Sequence, residues 1–495
     1  MNIVDQKAPH IVIVGGGITG LSAAYYTQKI FANEAFSPQV TVLESSSRFG
    51  GKVETLVREQ LVIERGPDSF LTRKLPMIEL ARDLGMIDQL VPQSSSAKKT
   101  YILHKGKLHP IPRGLILGVP TEWQSFVNTG LISPTGKLRA ALDLWIPRSL
   151  KKEDEDESLG SLLRRRLGNE LVDVIVEPLL SGIYAGDADQ LSVKATFPQF
   201  RAAEQQYGSL IQGMRRGVGW MRPGQTTEVV IPPQLHTSVF SSFRHGLSSL
   251  VNELVAELEQ LGAALRVDAT VQSIQYRPDH TQPFVLRLGE AQSIEADIVL
   301  LTVPPPMIGS ILPDFAELRL VSEMQYASVA NIVFTFTKNR IQHPLDGSGF
   351  LVPRKEGRFI TACTWTSSKW AHVAPQHQVI LRCYVGRNDD ERWMNLDDRE
   401  LVRKVRHDLA ELMGIKAQPD DIDIRRLPQS MPQYHVGHPI RVQQLREALK
   451  KRMPGCYVAG AGYDGVGLPD CVQQAKQVAQ QALQWLKEKE KKIHD

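Results

Sequence analysis

The stretch IVIVGGGITG, Ile11 to Gly20, leaves a chain few ways to fold. Four branched apolar residues make a short buried strand, and three glycines then break it before LSAAYY resumes with small and apolar residues at helical spacing. The strand Ile11 to Val14, a turn from Gly15 to Gly20, a helix from Leu21 to about Ile30 and a second apolar run, Val40 to Glu44, read as a βαβ unit. Gly15, Gly17 and Gly20 have the spacing of a dinucleotide turn, in which Gly15 permits the tight bend and Gly17 lets a pyrophosphate reach the backbone. Gly16, Ile18 and Thr19 fill the turn between them. The helix N-terminus offers unpaired N–H groups and a partial positive charge to the same phosphate, and the small Ala24 lets the helix lie close to the sheet. Glu44 ends the second strand about two dozen residues on, where a carboxylate binds both ribose hydroxyls and disfavours a 2′-phosphate, so NADP is not expected.

Other classes are excluded by charge and cysteine usage. A net charge of +4 over 495 residues gives no global reason to expect nucleic acid. Cys363, Cys383, Cys456 and Cys471 lie far apart with no CxxC pair, which predicts free thiols and no metal site. The start MNIVDQKAPH has neither the basic opening nor the apolar segment of an export signal, so a cytoplasmic location is expected. Ile11 to Gln28 carries no charge, yet its glycines argue against a membrane span; HPIPRGLILGVPTEW, His109 to Trp123, is a candidate for peripheral membrane contact or a turn entering a core helix.

Further along, ADIVLLTVPPP (Ala296 to Pro306) and CYVAGAG (Cys456 to Gly462) repeat the pattern of an apolar run closed by turn residues, the second ahead of a helical C-terminus. Ser158 to Gly186 has helical spacing and follows the charged run KKEDEDE, expected to be a solvated loop. From about Val321 to Arg426, runs such as NIVFTFT, ITACTWT and VILRCYV predict an antiparallel sheet.

After Glu44 and Ser45 the chain reads RFGGKVET, Arg48 to Thr55, which resembles the RxGG[RK] segment of the flavin amine oxidase superfamily. The resemblance implies non-covalent FAD, with Gly50 and Gly51 allowing a second close backbone approach and Arg48 and Lys52 able to neutralise diphosphate charge. It also implies an adenine contact from the backbone of Val271, in RVDATVQSI. YVAGAGYDGVGLPDCVQQAKQVAQQAL resembles the closing segment of these proteins, which puts Gly465, Val466, Gly467 and Leu468 against the flavin and a positive helix end near its reduced, anionic form.

ERGPDSF, EPLLSGIYAGDADQLS, ACTWTSSKW and SMPQYHVGH, in order and at similar spacing between Pro9 and Leu486, resemble the oxygen-dependent protoporphyrinogen oxidases, most closely the Gram-positive bacterial branch that oxidises coproporphyrinogen III. The fold class implied is α/β, α+β overall: a Rossmann-like FAD-binding domain with a mixed, mainly antiparallel substrate sheet and a helical insertion. The division expected is FAD domain at 1–95, 226–305 and 437–495, helical insertion and part of the substrate domain at 96–225, and substrate sheet at 306–436. Gly66, Pro67, Asp68 and Ser69 join the flavin contacts. The substrate implied is a porphyrinogen, dioxygen reoxidises the flavin with release of hydrogen peroxide, and a ferrochelatase accepting coproporphyrin is a transient partner. Since the flavin carries the redox step, no dedicated base is required, and His435 and His438 are read as loop supports. Arg73 and Lys74 are candidates for the substrate propionates. Gly182 is a candidate pyrrole N–H acceptor or a helix C-cap. Tyr184 and Trp365 are read as substrate-pocket wall or core.

Two departures stand out: Thr100 replaces an Arg of mitochondrial relatives, and Leu427 a Trp common in bacterial ones. Two other readings share these motifs. An amine oxidase or carotenoid-type desaturase would keep the nucleotide turn, and Cys456 or Cys471 could then carry a covalent flavin. A non-catalytic binding protein on the same scaffold need not keep the phosphate-contacting residues.

Overall fold

Strands that are apolar on both faces need cover on both, and the chain supplies it from distant segments. In a computed structural model that describes residues 8–32, 34, 37–149, 155–217, 230–289 and 292–494, β1 (His10–Val14) lies at the centre of a five-stranded parallel sheet. The order is Ala264–Arg266, β2 (Gln39–Leu43), β1, Ile298–Leu301 and Cys456–Val458. Ile11 and Ile13 face a core shared with α1 (Ile18–Phe31), helix Ser248–Gln260 and the C-terminal helix Leu468–His494. Val12 and Val14 face the opposite core, covered by an antiparallel trio, Ser273–Tyr276, Phe284–Arg287 and Ser293–Ala296, and by helix His438–Arg452. The helix after the glycines begins at Ile18, three residues before the expected Leu21, because Gly17 itself serves as its N-cap.

The second sheet has seven strands, in the order Asp421–Pro432, Tyr326–Thr337, Gln378–Val385, Ala362–Trp365, Gly349–Leu351, Tyr101–His104 and Lys107–Pro110. It is antiparallel except where Gly349–Leu351 meets Tyr101–His104, so the mixed sheet is present. Period-two alternation divides it. Ile332, Phe334, Leu381, Cys383 and Trp365 pack beneath helix Asp398–Met413, whereas Val333 and Ile380 face the hairpin Thr55–Arg58/Leu61–Glu64. Of the two readings of Trp365, substrate-pocket wall or core, the structure has the core: it is fully buried on the helix-covered face, with ring contacts to Tyr101 at 5.5 Å and His343 at 4.8 Å. His109–Trp123 ends one strand, forms a short hairpin pairing Leu115–Ile116 with Val119–Pro120, and leads into helix Trp123–Asn128 with Phe126 buried. Among the described residues no helix is long and apolar enough to cross a membrane. Lys151 to Asp154 of the charged run, residues 1–7 and the expected boundary at 225/226 lie outside the described residues.

The helical layer, Leu159–Leu167 to Leu210–Arg215, is closed around a buried ion pair. Arg166 Nε donates to Asp143 at 2.6 Å, and both side chains are wholly buried. Asp143 also accepts from Ser209 Oγ at 2.5 Å and the Ile211 N–H at 2.9 Å, while Arg166 donates to the carbonyls of Asp143 and Ile146. The pair thus ties helix Leu159–Leu167 to the segments 143–147 and 208–211. Removing one partner strands the other charge, so Arg166→Ala should destabilise this layer by about 3–5 kcal/mol, whereas Arg166→Met with Asp143→Leu should cost much less; urea unfolding followed by circular dichroism distinguishes them.

Candidate functional site

Building a Cβ on each motif glycine separates what the fold requires from what a ligand requires. On Gly20 it would lie 1.8 Å from the Gly15 carbonyl oxygen, and on Gly15, whose φ is +107°, 2.8 Å from Thr302 Oγ1. On Gly16 it would meet the Phe49 ring at 2.5 Å. On Gly17 it would meet nothing within 4 Å. Gly17 has φ −73°, which any residue adopts, so nothing in the protein forbids a side chain there. The open space lies over the N-terminus of α1, which has no side-chain cap and no acidic residue in its first turn. A pyrophosphate fits that cradle.

Glu44, nearly buried, is held from both sides. One oxygen accepts the Gly16 N–H at 2.7 Å, the other the Ser46 N–H at 2.8 Å and Ser46 Oγ at 2.7 Å, with Ser45 Oγ at 3.4 Å. Ser46 was not singled out from the sequence, although a serine two residues beyond an acidic strand end is a local signal for such a turn. Asp268 and Ala269 donate backbone N–H bonds to the carbonyls of Ser46 and Glu44, which brings the segment leading to buried Val271 alongside the carboxylate.

The second glycine loop nests on the first. The Gly50 N–H donates to Gly16 O at 2.8 Å, and a Cβ on Gly51 would be 3.3 Å from Gly17 Cα. Arg48 uses its guanidinium on its own loop, donating to the carbonyls of Phe49, Gly51 and Val53 and to Glu54. Lys52 crosses to the other sheet, where Nζ donates to Ser430 O at 2.5 Å and lies 5.8 Å from the Tyr326 ring centre. Burial pushes its ammonium down to about 8, yet more than a third of its surface is open. Both are satisfied if that surface faces a cavity inside the molecule. Gly66 packs against the same turn, with a Cβ there 1.7 Å from Lys52 O, and carries Pro67, Asp68 and Ser69 to the sheet interface.

Asp68 accepts from Lys369 Nζ at 3.0 Å and Ser69 Oγ at 2.7 Å. Burial works to raise its carboxyl, but Lys369 and Arg382 outweigh it and hold the group well below the usual range. Arg382, almost fully buried, donates to Gly66 O and stacks over Tyr384 at 4.9 Å. Lys369 and Arg382 escaped sequence reading; the one signal was a charge inside the apolar run VILRCYV.

Tyr434 holds the C-terminal glycine segment, donating to Ala461 O at 2.5 Å and accepting the Gly465 N–H at 3.0 Å. His438 stacks on it at 4.2 Å and bonds through Nε2 to Tyr463 O, and burial depresses it to about 4, so it stays neutral at physiological pH. Gly467 and Gly465, at φ +119°, crowd against Asp470, and Leu468 opens the final helix. Val466 packs toward the helical layer. Thr19 reaches the same segment, its Oγ1 3.6 Å from where a Gly460 Cβ would stand. Cys456 and Cys471 are buried, their thiols raised by desolvation to about 12 and about 11.

On the substrate side, Lys74 is paired with Asp470 at 2.6 Å, while Arg73 is exposed beside it. Gly182 lies inside helix Glu177–Tyr184, whose C-cap is Ala185 at φ +50°, so the C-cap reading is set aside. Its carbonyl is in the last turn, where helices leave acceptors unpaired. Tyr184 is buried against Phe197 and Tyr434, both at 6.1 Å.

A parallel sheet, open space over Gly17 and a fixed acidic strand end define a dinucleotide-binding scaffold. The chain belongs to the flavin containing amine oxidoreductase family, whose model matches residues 18–483, and its cofactor is therefore FAD. It is similar to a protein of Bacillus subtilis strain 168 named coproporphyrinogen III oxidase, at 40% identity over 96% of this chain and 98% of the relative. Its likeness to the protein of that name from Staphylococcus aureus is 37% over 96% and 98%. The crystal structure of an Exiguobacterium sp. 255-15 protein superposes with a TM-score of 0.82 at 38% identity, covering 96% of this chain and 98% of that one.

Gly17→Ala should leave the stability of the FAD-free protein within about 0.5 kcal/mol while weakening FAD binding about tenfold or more. Gly20→Ala should destabilise the fold itself by about 3 kcal/mol; calorimetric melting and FAD titration separate the two. Glu64 accepts from the Leu247 N–H at 2.6 Å and Thr55 Oγ1 at 2.8 Å, and burial pushes its carboxyl from 4.5 to about 7. The folded state keeps a proton that the unfolded state has released, so this contribution to stability is complete below pH 4.5 and is lost as pH rises through 7. Denaturant midpoints across that window should fall for the native protein and level off in Glu64→Gln.

Proposed function

We propose that this protein oxidises coproporphyrinogen III to coproporphyrin III, with dioxygen as final acceptor and hydrogen peroxide as by-product. The observation that carries the reading is the likeness to the B. subtilis coproporphyrinogen III oxidase, 40% over 96% and 98% of the two chains. The flavin supplies the hydride acceptor. The chain supplies a dry, rigid seat for the macrocycle beside it.

Gly15 to Gly20, Glu44, Ser45, Arg48, Gly51, Lys52, Gly66 to Ser69, Val271 and Gly465 to Leu468 hold the cofactor in this reading, with Arg48 acting through its own loop. The macrocycle sits between that surface and the face of the seven-stranded sheet opposite helix Asp398–Met413, with the Gly182 carbonyl turned to a pyrrole N–H and Tyr184 in the wall. Arg73 takes a propionate. Lys74 contributes through Asp470, since that carboxylate already balances its charge. His438 donates to a carbonyl, and burial that depresses its pKa to about 4 makes it a weak proton acceptor, which supports a mechanism in which it is not the base. The three-part FAD domain, the cytoplasmic location and delivery of product to a coproporphyrin-accepting ferrochelatase complete the proposal.

Anaerobic mixing of the holoenzyme with coproporphyrinogen III should bleach the flavin band near about 450 nm within one turnover, and faster than protoporphyrinogen IX does. Bleaching by an amine or polyene alone would refute the substrate. Arg73→Gln should raise KM for the tetracarboxylate about tenfold with kcat little changed, the pattern of a lost binding contact.

A further inference from the structure

We infer that a polar cavity behind Tyr326 is the passage by which dioxygen reaches the flavin and hydrogen peroxide leaves it while the macrocycle fills the front of the site. The inference rests on the function proposed above. The cavity has a volume of 410 Å³, and its walls include Glu323, Asn388, Glu391, Gln429, Gln433 and Tyr326. Tyr326 is the inner wall. Lys52 Nζ, at the opening assigned to the cofactor, stands 5.8 Å from its ring, and a side chain on Gly462 would come within 2.8 Å of its hydroxyl. One aromatic ring therefore separates this cavity from both the Lys52 turn and the C-terminal glycine segment.

The wall is opened by a defect in the sheet. Pairing between Tyr326–Thr337 and Asp421–Pro432 slips between Ala327 and Val329, and Gln429, in the bulged strand, is held at φ +44°. A non-glycine residue in that conformation is strained, and such strain gathers where function requires a fixed shape. Beside it, Ser430 Oγ and Gln433 Oε1 are buried without a hydrogen-bond partner among the described residues. A lining of amides both donates and accepts, as hydrogen peroxide does. The carboxylates of Glu323 and Glu391 repel a substrate bearing propionates but not neutral dioxygen or peroxide. Charge thus sorts the two routes.

Each cycle passes two electrons and two protons to dioxygen, which departs as hydrogen peroxide. Three such cycles on one macrocycle require an oxygen route that the macrocycle does not block.

The test is stopped-flow reoxidation of the reduced holoenzyme by dioxygen, with coproporphyrin III bound, in Asn388→Trp and in Glu391→Trp at the exposed mouth. Both should slow reoxidation about tenfold and leave the anaerobic rate of flavin reduction by coproporphyrinogen III within about twofold. Reoxidation within about twofold of the native rate in a variant that retains FAD overturns the passage. Reduction by dithionite allows the same measurement if no porphyrinogen reduces the flavin, so failure of the proposed function and failure of the passage are read separately.

Discussion

Everything at the centre of this protein depends on three glycine turns lying backbone against backbone. Gly50 N–H bonds to Gly16 O, Gly51 stands over Gly17, and Gly66 touches the Lys52 carbonyl. Side chains at Gly16, Gly20 or Gly66 would push these turns apart, since the space a Cβ needs is already occupied. The turns come from three places in the chain, and each is fixed by a strand whose position is set by the others. Distance between them is therefore a property of the whole sheet.

This stacking explains how charge is tolerated at the interface between the sheets. A buried ion is costly unless it is paired and hydrogen-bonded. Asp68 has Lys369, Arg382 and Ser69, Arg48 has three carbonyls of its own loop, and Lys74 has Asp470. Lys52 differs, because one carbonyl and one aromatic face are its only described partners while burial weakens its hold on a proton. A cation in that condition gains most from an anion placed against its open side. In the proposed cofactor site, that anion is supplied by the diphosphate or the reduced flavin.

Much of this was legible in the sequence because glycine spacing and apolar runs are local signals. The turn at Gly15 to Gly20, the acidic strand end at Glu44 and the RFGGK loop needed no knowledge of partners. What was not legible depends on register. Trp365 and Thr364 are neighbours in the chain but point to opposite faces, and only the pairing of Cys363 with Cys383 decides that the indole goes to the core. The sign of Lys74 and Lys52 is legible, but the protein groups they bond in the structure, the Asp470 carboxylate and the Ser430 carbonyl, are hundreds of residues away. The bulge at Gln429 has no glycine to announce it. Long-range pairing chooses among local options, and for these residues the options were evenly matched.

Specificity for a tetracarboxylate therefore does not reduce to counting basic residues near the cofactor. Most of those cations are already balanced by carboxylates or committed to carbonyls, so their contribution to an incoming propionate is largely spent. Where the walls exclude water, the field of a charge is screened least. In the function proposed above, the exposed Arg73 is the cation assigned to an incoming propionate. The acidic lining of the Tyr326 cavity acts on polyanions and not on small neutral molecules, so the two classes of reactant are sorted by charge alone.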